Sequence, residues 1–179
     1  MEKQVLGLHH ITAIADSAQA NYDFYTKILG QRLVKKTVNF DDPGTYHFYY
    51  GDEIGRPGTL LTFFPWAGIG KGRNGIGMAT GIGYSVPPAS LEFWSKRLRQ
   101  FGVKQQPLAE RFGESYLPFE DPDGLQLELI VPERDDQRKA WESQDIKGAA
   151  AIKGLHSVTL RLNNKNATAE VLTDILGYH

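Results

Sequence analysis

Gly7-Leu8-His9-His10-Ile11-Thr12 near the N-terminus is echoed by Gly154-Leu155-His156-Ser157-Val158-Thr159, 147 residues later. At the same offset Thr173 answers Thr26, and Ile175-Leu176-Gly177 answers Ile28-Leu29-Gly30. Over positions 7 to 30, 9 of 24 residues are identical without a gap, so this is an internal repeat and is read before anything else. Working outward from it, Leu8 to Ala15 is rich in β-branched and apolar residues and reads as a strand, with Asp16-Ser17 able to cap the next element. From Ala18 the period changes. Tyr22, Tyr25, Ile28 and Leu29 share one helical face, and Gly30 stands where a helix is expected to end. Leu33–Phe40, Thr45–Tyr50 and Thr59–Trp66 read as three more strands, the first two separated by the turn Asp41-Asp42-Pro43-Gly44.

After the glycine-rich run Ala67–Gly77 the pattern restarts. Met78–Val86 reads as a strand, and Pro87-Pro88 opens a helix with an apolar stripe of Leu91, Trp94, Leu98 and Phe101. Tyr116–Phe119 and Leu125–Val131 are strands joined by Asp121-Pro122-Asp123-Gly124, and a further short strand is expected around Val103. The expected fold is therefore α+β, built from paired β-α-β-β-β modules at 5–66 and 77–132 that form a first domain over 5–132. Residues 133–150 read as a polar connector with a helix-compatible centre. The repeat returns at 151–179 as the start of a second paired-module domain. That third module stops after one strand and one helix, which leaves an apolar helix face bare and a strand without partners of its own. The expectation is a C-terminally truncated product of a longer chain.

Composition narrows the function. The 179 residues are 41% hydrophobic and 23% charged, as in an ordinary globular protein. A net charge of -1 gives no electrostatic case for nucleic acid or an anionic membrane. No stretch has signal-peptide or transmembrane length, so the cytoplasm is the simplest compartment. Cysteine is absent, which excludes disulfides, a thiolate nucleophile and thiolate metal sites. Any metal has to use carboxylates, water or the 5 histidines.

His9 and His10 begin a strand. Alternation points neighbouring strand residues to opposite faces, so one can ligate a metal while the other supports it; a structural and a surface histidine is the bland alternative. Glu128 sits in the alternating strand Leu125–Leu129, either solvent-facing or as a ligand or ion-pair partner. His47, in the aromatic stretch Thr45–Tyr50, either packs or lines a pocket for an aromatic molecule. Gly70–Gly75 matches G-x-G-x-x-G, but no helix comes after it, so nucleotide binding has little support. No Gly-x-Ser-x-Gly elbow is present for a hydrolase.

Together these motifs resemble the vicinal oxygen chelate superfamily, which includes glyoxalase I, bleomycin-resistance proteins and extradiol dioxygenases. The resemblance rests on His10, Phe24-Tyr25 and Leu29-Gly30 in the first module and on Asp121–Gly124 with Glu128 in the second. Gly7–Thr12, Gln19–Tyr25 and the long run Leu33–His47 are similar to the ring-cleaving branch of the hydroquinone 1,2-dioxygenase type. That resemblance implies a mononuclear Fe(II) held by two His and one Glu, with an aromatic diol and O2 as substrates. It implies His10 as the first metal ligand and His9 as a catalytic residue near the substrate hydroxyl. The remaining His and Glu ligands are expected beyond residue 179, and Glu128 is expected at a vestigial second site. Two other classes stand beside this one. A dimeric glyoxalase-like lyase or isomerase would use His10 and Glu128 across a homo-oligomer. A metal-free binding protein would line its pocket with Tyr46, Phe48, Tyr49, Phe63, Phe64 and Trp66.

Overall fold

The computed structural model describes residues 5–178. Strand β1, His10–Ala15, leads into helix α1, Ala18–Asp23, where Ser17 accepts a hydrogen bond from the Ala20 amide at 3.3 Å as the N-cap. The helix widens into a π-helical turn, Phe24–Ile28, closed by the Leu29 amide donating to the Phe24 carbonyl at 3.0 Å. Gly30, at φ +67°, ends it as the period-3.6 reading requires. Strands β2 (Arg32–Val38), β3 (Tyr46–Gly51) and β4 (Leu60–Pro65) complete a four-stranded sheet of order β1-β4-β3-β2. β1 runs parallel to β4, and the other neighbours are antiparallel.

The second module repeats this plan with β5 (Met78–Ser85), helix α2 (Leu91–Gln100), β6 (Ala109–Arg111), β7 (Glu114–Glu120) and β8 (Gln126–Ile130). The extra short strand lies at Ala109–Arg111 and not around Val103. The Val103 amide instead closes the end of α2 by donating to the Leu98 carbonyl. The fold is thus α+β with two mixed sheets built from β-α-β-β-β units.

The third segment has no sheet of its own: β9, Gly154–Arg161, takes its partner from the second module and adds to that sheet as an antiparallel neighbour of β5, giving the order β6-β7-β8-β5-β9. Its helix α3, Asn166–Glu170, again runs on into a π-helical turn, Val171–Ile175. Here the apolar side is bare, with Val171 47% and Ile175 74% exposed, whereas the equivalent Phe24 is 3% exposed. The connector also departs from its reading, since residues 132–149 contain no helix. It is a strap held by tertiary contacts: Ile146 is buried beside Gly30, and the Ala150 carbonyl accepts from Trp94 Nε1 at 2.9 Å. Such contacts outweigh the weak helix propensity of a polar stretch.

Each sheet buries one face against its own helix. In the first, Tyr25 stacks on Tyr50 and packs at a tilt against Phe63, with ring centroids 5.0 and 4.7 Å apart. In the second, Trp94 and Leu98 cover Ile82, Tyr84, Leu127 and Leu129, all buried. Burying one such side chain contributes roughly 1.5–3 kcal/mol. These cores leave the opposite face of each sheet free to carry polar chemistry.

Candidate functional site

The face of the first sheet turned away from α1 is set by register. His10, Thr12 and Ile14 of β1 lie level with Leu60, Thr62 and Phe64 of β4, while Ile11 and Ala13 point to the helix side. Tyr49 stands opposite Thr62, and His47 shares its side. The five polar or ionisable side chains His10, Thr12, His47, Tyr49 and Thr62 therefore occupy one face, and of them only Thr62 is buried.

At one end of this face His9 and His10 touch. Their Nδ1 atoms are 3.1 Å apart and their rings meet edge-on at 5.2 Å. Strict alternation would put them on opposite faces, but β1 begins at His10, so His9 lies on the entering segment and turns back. Gly7, at φ +137°, lets that segment bend. Both imidazoles are exposed. One Nδ1 must donate to the other, and either way the Nε2 of His10 stays outside this bond. A protonated Nδ1 on His10 leaves its Nε2 with a free lone pair, the arrangement a metal-ligating histidine needs.

Deeper on the same face, Thr62 is completely buried and its hydroxyl joins two partners. It lies 2.9 Å from Thr12 Oγ1 and 3.1 Å from His47 Nε2. The other ring nitrogen of His47 meets the Tyr49 hydroxyl at 2.9 Å. Burial, and after it the positive charge of Lys35, lowers the His47 pKa below the ordinary histidine value and favours its neutral form. Burial likewise raises the Tyr49 phenol. Phe64 packs against the His47 ring at 4.0 Å, and Trp66 stacks on Phe64 at 5.9 Å. Of the proposed aromatic liners, then, Tyr49, Phe64 and Trp66 border this face. Phe48 and Phe63 are buried in the helix-side core, and Tyr46 stacks on Phe48 at 5.6 Å on that side.

The second sheet offers no equivalent. Glu128 is held by Arg111 through two bonds of 2.5 and 3.2 Å, and Arg111 also stacks over Tyr116 at 4.7 Å. Its neighbours across β5 and β9 are Gly83 and Ser157. A carboxylate committed to a guanidinium on both oxygens is a poor metal ligand. His156 is engaged elsewhere, its Nε2 3.3 Å from Glu114. Among the described residues no group of three His, Asp or Glu side chains converges to hold a metal ion. Among the described residues the chain therefore brings one presented imidazole, His10, and not a complete donor set.

Sequence reading misses three parts of this arrangement. Thr12 is recoverable, since period-2 alternation places it beside His10. Thr62 is not, because only strand register brings β4 between β1 and β3. Asp121 reads as a turn residue, yet it is buried. It accepts a 3.2 Å bond from the Tyr25 hydroxyl and two more from the Asp123 and Leu125 amides. Burial outweighs those bonds and pushes its pKa up to about 6.

Known proteins share this fold. The chain is 48% identical over 177 residues to MhqO of Bacillus subtilis (strain 168), whose name assigns it to the ring-cleaving dioxygenases; the match covers 99% of this chain and 56% of MhqO. It is 42% identical over 166 residues to the chlorohydroquinone/hydroquinone 1,2-dioxygenase of Sphingobium indicum, covering 91% of this chain and 52% of that enzyme. A crystal structure of a Bacillus subtilis subsp. subtilis str. 168 protein named as a dioxygenase superposes with a TM-score of 0.93 at 47% identity, over 99% of this chain and 57% of that one. The chain thus spans little more than half the length of these relatives. No helix among the described residues is long and apolar enough to cross a membrane. The model of the Glyoxalase/Bleomycin resistance protein/Dioxygenase superfamily matches residues 7–129, and with these relatives it shows that the chain belongs to that superfamily, in its ring-cleaving dioxygenase branch.

Proposed function

We propose that this chain is the part of a cytoplasmic Fe(II) ring-cleaving dioxygenase that supplies the first metal ligand and one wall of the substrate site. The substrates of this reading are a hydroquinone- or catechol-like diol and O2. The single observation that carries it is the His9–His10 pair. His10 stands on an open sheet face with its Nδ1 engaged, so its Nε2 is presented outward. A lone imidazole holds ferrous iron weakly, and the reading places the missing His and Glu on a further module. Ferrous iron, when bound, supplies the electronic link between an aromatic diol and dioxygen.

The chain's own residues do the rest. His9 fixes the ring orientation and tautomer of His10. Its exposed imidazole is placed to take a proton from a diol hydroxyl. Phe64, Trp66 and Tyr49 give an aromatic ring a flat apolar border, and Thr12 offers a hydroxyl beside it. The lyase reading is disfavoured by the Arg111 clamp on Glu128, which the metal would have to break.

The test is anaerobic loading with Fe(II) and measurement of metal per chain, for this chain alone and fused to the downstream part of MhqO. Weak binding alone, near-stoichiometric iron with hydroquinone-dependent oxygen uptake in the fusion, and loss of both in His10→Ala are expected. Stoichiometric iron on the isolated chain that survives His10→Ala would overturn the proposal.

A further inference from the structure

Tyr49, His47, Thr62 and Thr12 form an unbroken hydrogen-bonded file of four side chains across three strands, with links of 2.9, 3.1 and 2.9 Å. Thr62 in its middle is completely buried, and the half-buried His47 packs against Phe64 and Tyr49 with ring centroids 4.0 and 4.2 Å away. Its ends are open: Thr12 is exposed on β1, and Tyr49 is half-buried beside Lys35, whose Nζ lies 5.4 Å from its ring centre. Each member can donate and accept at once, as hydroxyls and a neutral imidazole do. A fold that needed only packing would fill these positions with apolar groups. The buried Thr62 hydroxyl is stable there because both of its links are made. The inner end is two residues along the strand from His10, on the same face.

We propose that this file is a proton relay serving the site beside His10. It rests on the dioxygenase reading for its substrate: the proton it carries is that of the diol hydroxyl bound against Thr12, the other hydroxyl being the one that faces His9. Thr12 Oγ1 accepts that proton and passes its own to Thr62, which passes its own to His47 Nε2. The imidazole releases the proton on Nδ1 to Tyr49, whose hydroxyl proton goes to water. One proton enters and one leaves, every hydroxyl keeps one, the imidazole ends neutral in its other tautomer, and the electron pair stays on the diolate oxygen. No oxidation state changes. His47 is a positioning and relay residue and not a metal ligand, since its two nitrogens are both occupied by this file.

The connection is read by 15N NMR of the histidine-labelled chain, independently of metal and activity. His47 is expected as a single neutral tautomer. Thr12→Val, two links away, is expected to displace its Nε2 resonance and the Tyr49→Phe variant its Nδ1 resonance. Ile14→Val, on the same face but outside the file, is expected to move neither. A His47 averaged over both tautomers, or one insensitive to Thr12→Val, would overturn the relay. In the MhqO fusion, His47→Gln keeps hydrogen bonds but cannot relay. It is expected to lower kcat for hydroquinone at least about tenfold with KM little changed, and to alter the solvent deuterium isotope effect. An unchanged kcat and isotope effect would also overturn the relay. Absence of oxygen uptake by the unsubstituted fusion would instead overturn the dioxygenase reading, leaving the relay to be decided by the tautomer measurement.

Discussion

His10 and Asp121 show two ways in which a single side chain is set by its neighbours. For His10 the neighbour is His9, and the bond between their Nδ1 atoms fixes which nitrogen faces outward. His9→Phe keeps a ring but removes the partner, so Fe(II) affinity in the MhqO fusion is expected to fall about 10–100-fold. Equilibrium dialysis measures this, and affinity equal to the unsubstituted protein would show that His9 does not orient its neighbour. For Asp121 the neighbours are the core and the Tyr25 hydroxyl. Its folded pKa of about 6 stands above the ordinary 3.8, so the native state binds this proton more tightly than the unfolded chain. The associated stability is complete below about pH 4 and is lost as pH rises through about 6, a swing of roughly 3 kcal/mol. Asp121→Asn removes the titration. Denaturation midpoints of the two proteins are expected to diverge in favour of the variant between about pH 4 and 6.5, and parallel curves would refute the assignment. The two residues differ in legibility. A paired histidine at a strand start is visible in sequence as a candidate ligand. A buried aspartate in an Asp-Pro-Asp-Gly turn is indistinguishable from an exposed one until Tyr25 of the other module is known to lie above it.

Among the elements, the ones legible in sequence are those whose local signals agree. The β1-to-α1 unit has a strand run, a cap at Ser17, helical periodicity and a terminal glycine, and it recurs in β9 and α3 down to the π-helical turn and its final glycine. Gly30 and Gly177 share φ values of +67° and +71°. The connector is illegible because its conformation depends on distant partners. Arg138 is its central tie, donating to the Gly58 carbonyl at 2.8 Å and the Leu155 carbonyl at 2.9 Å, with Asp136 holding its other side. Asp136 in turn is held below the usual carboxylate range: its bonds from Arg138 and neighbouring donors together outweigh the cost of burial. Gly154 makes this knot close enough to form. A Cβ there would sit 2.6 Å from Arg138 Nη1 and 2.8 Å from the Gly58 oxygen, at a φ of +153°. Gly154→Ala is therefore expected to cost about 2 kcal/mol or more, read as a lowered urea midpoint. Gly68→Ala, where a Cβ meets nothing within 4 Å but φ is also positive at +81°, controls for backbone strain alone. Equal losses in the two variants would mean that the knot contributes nothing beyond strain.

Across the whole molecule the sheets are unequal, and the inequality has a direction. β5, the first strand of the second module, is covered on its outer edge by β9, the first strand of the third, in antiparallel pairing. β1, the first strand of the first module, bonds only to β4 among the described residues. An exposed edge is a strong template for another strand. On the dioxygenase reading proposed above, the same pairing of first strands would seat the first strand of a fourth module on this edge, beside His10, so that the open edge and the further ligands of that reading would share one location. Hydrogen exchange distinguishes the two edges. In this chain the outward amides of β1 are expected to exchange freely while the β5–β9 ladder is protected. Fusion to the downstream part of MhqO is expected to slow β1 exchange at least about tenfold and to bury the bare side of α3. If α3 becomes protected while β1 does not, the added part docks away from His10. In that case the shared-site reading fails even though the fold is completed, because no ligand could then reach the His10 face.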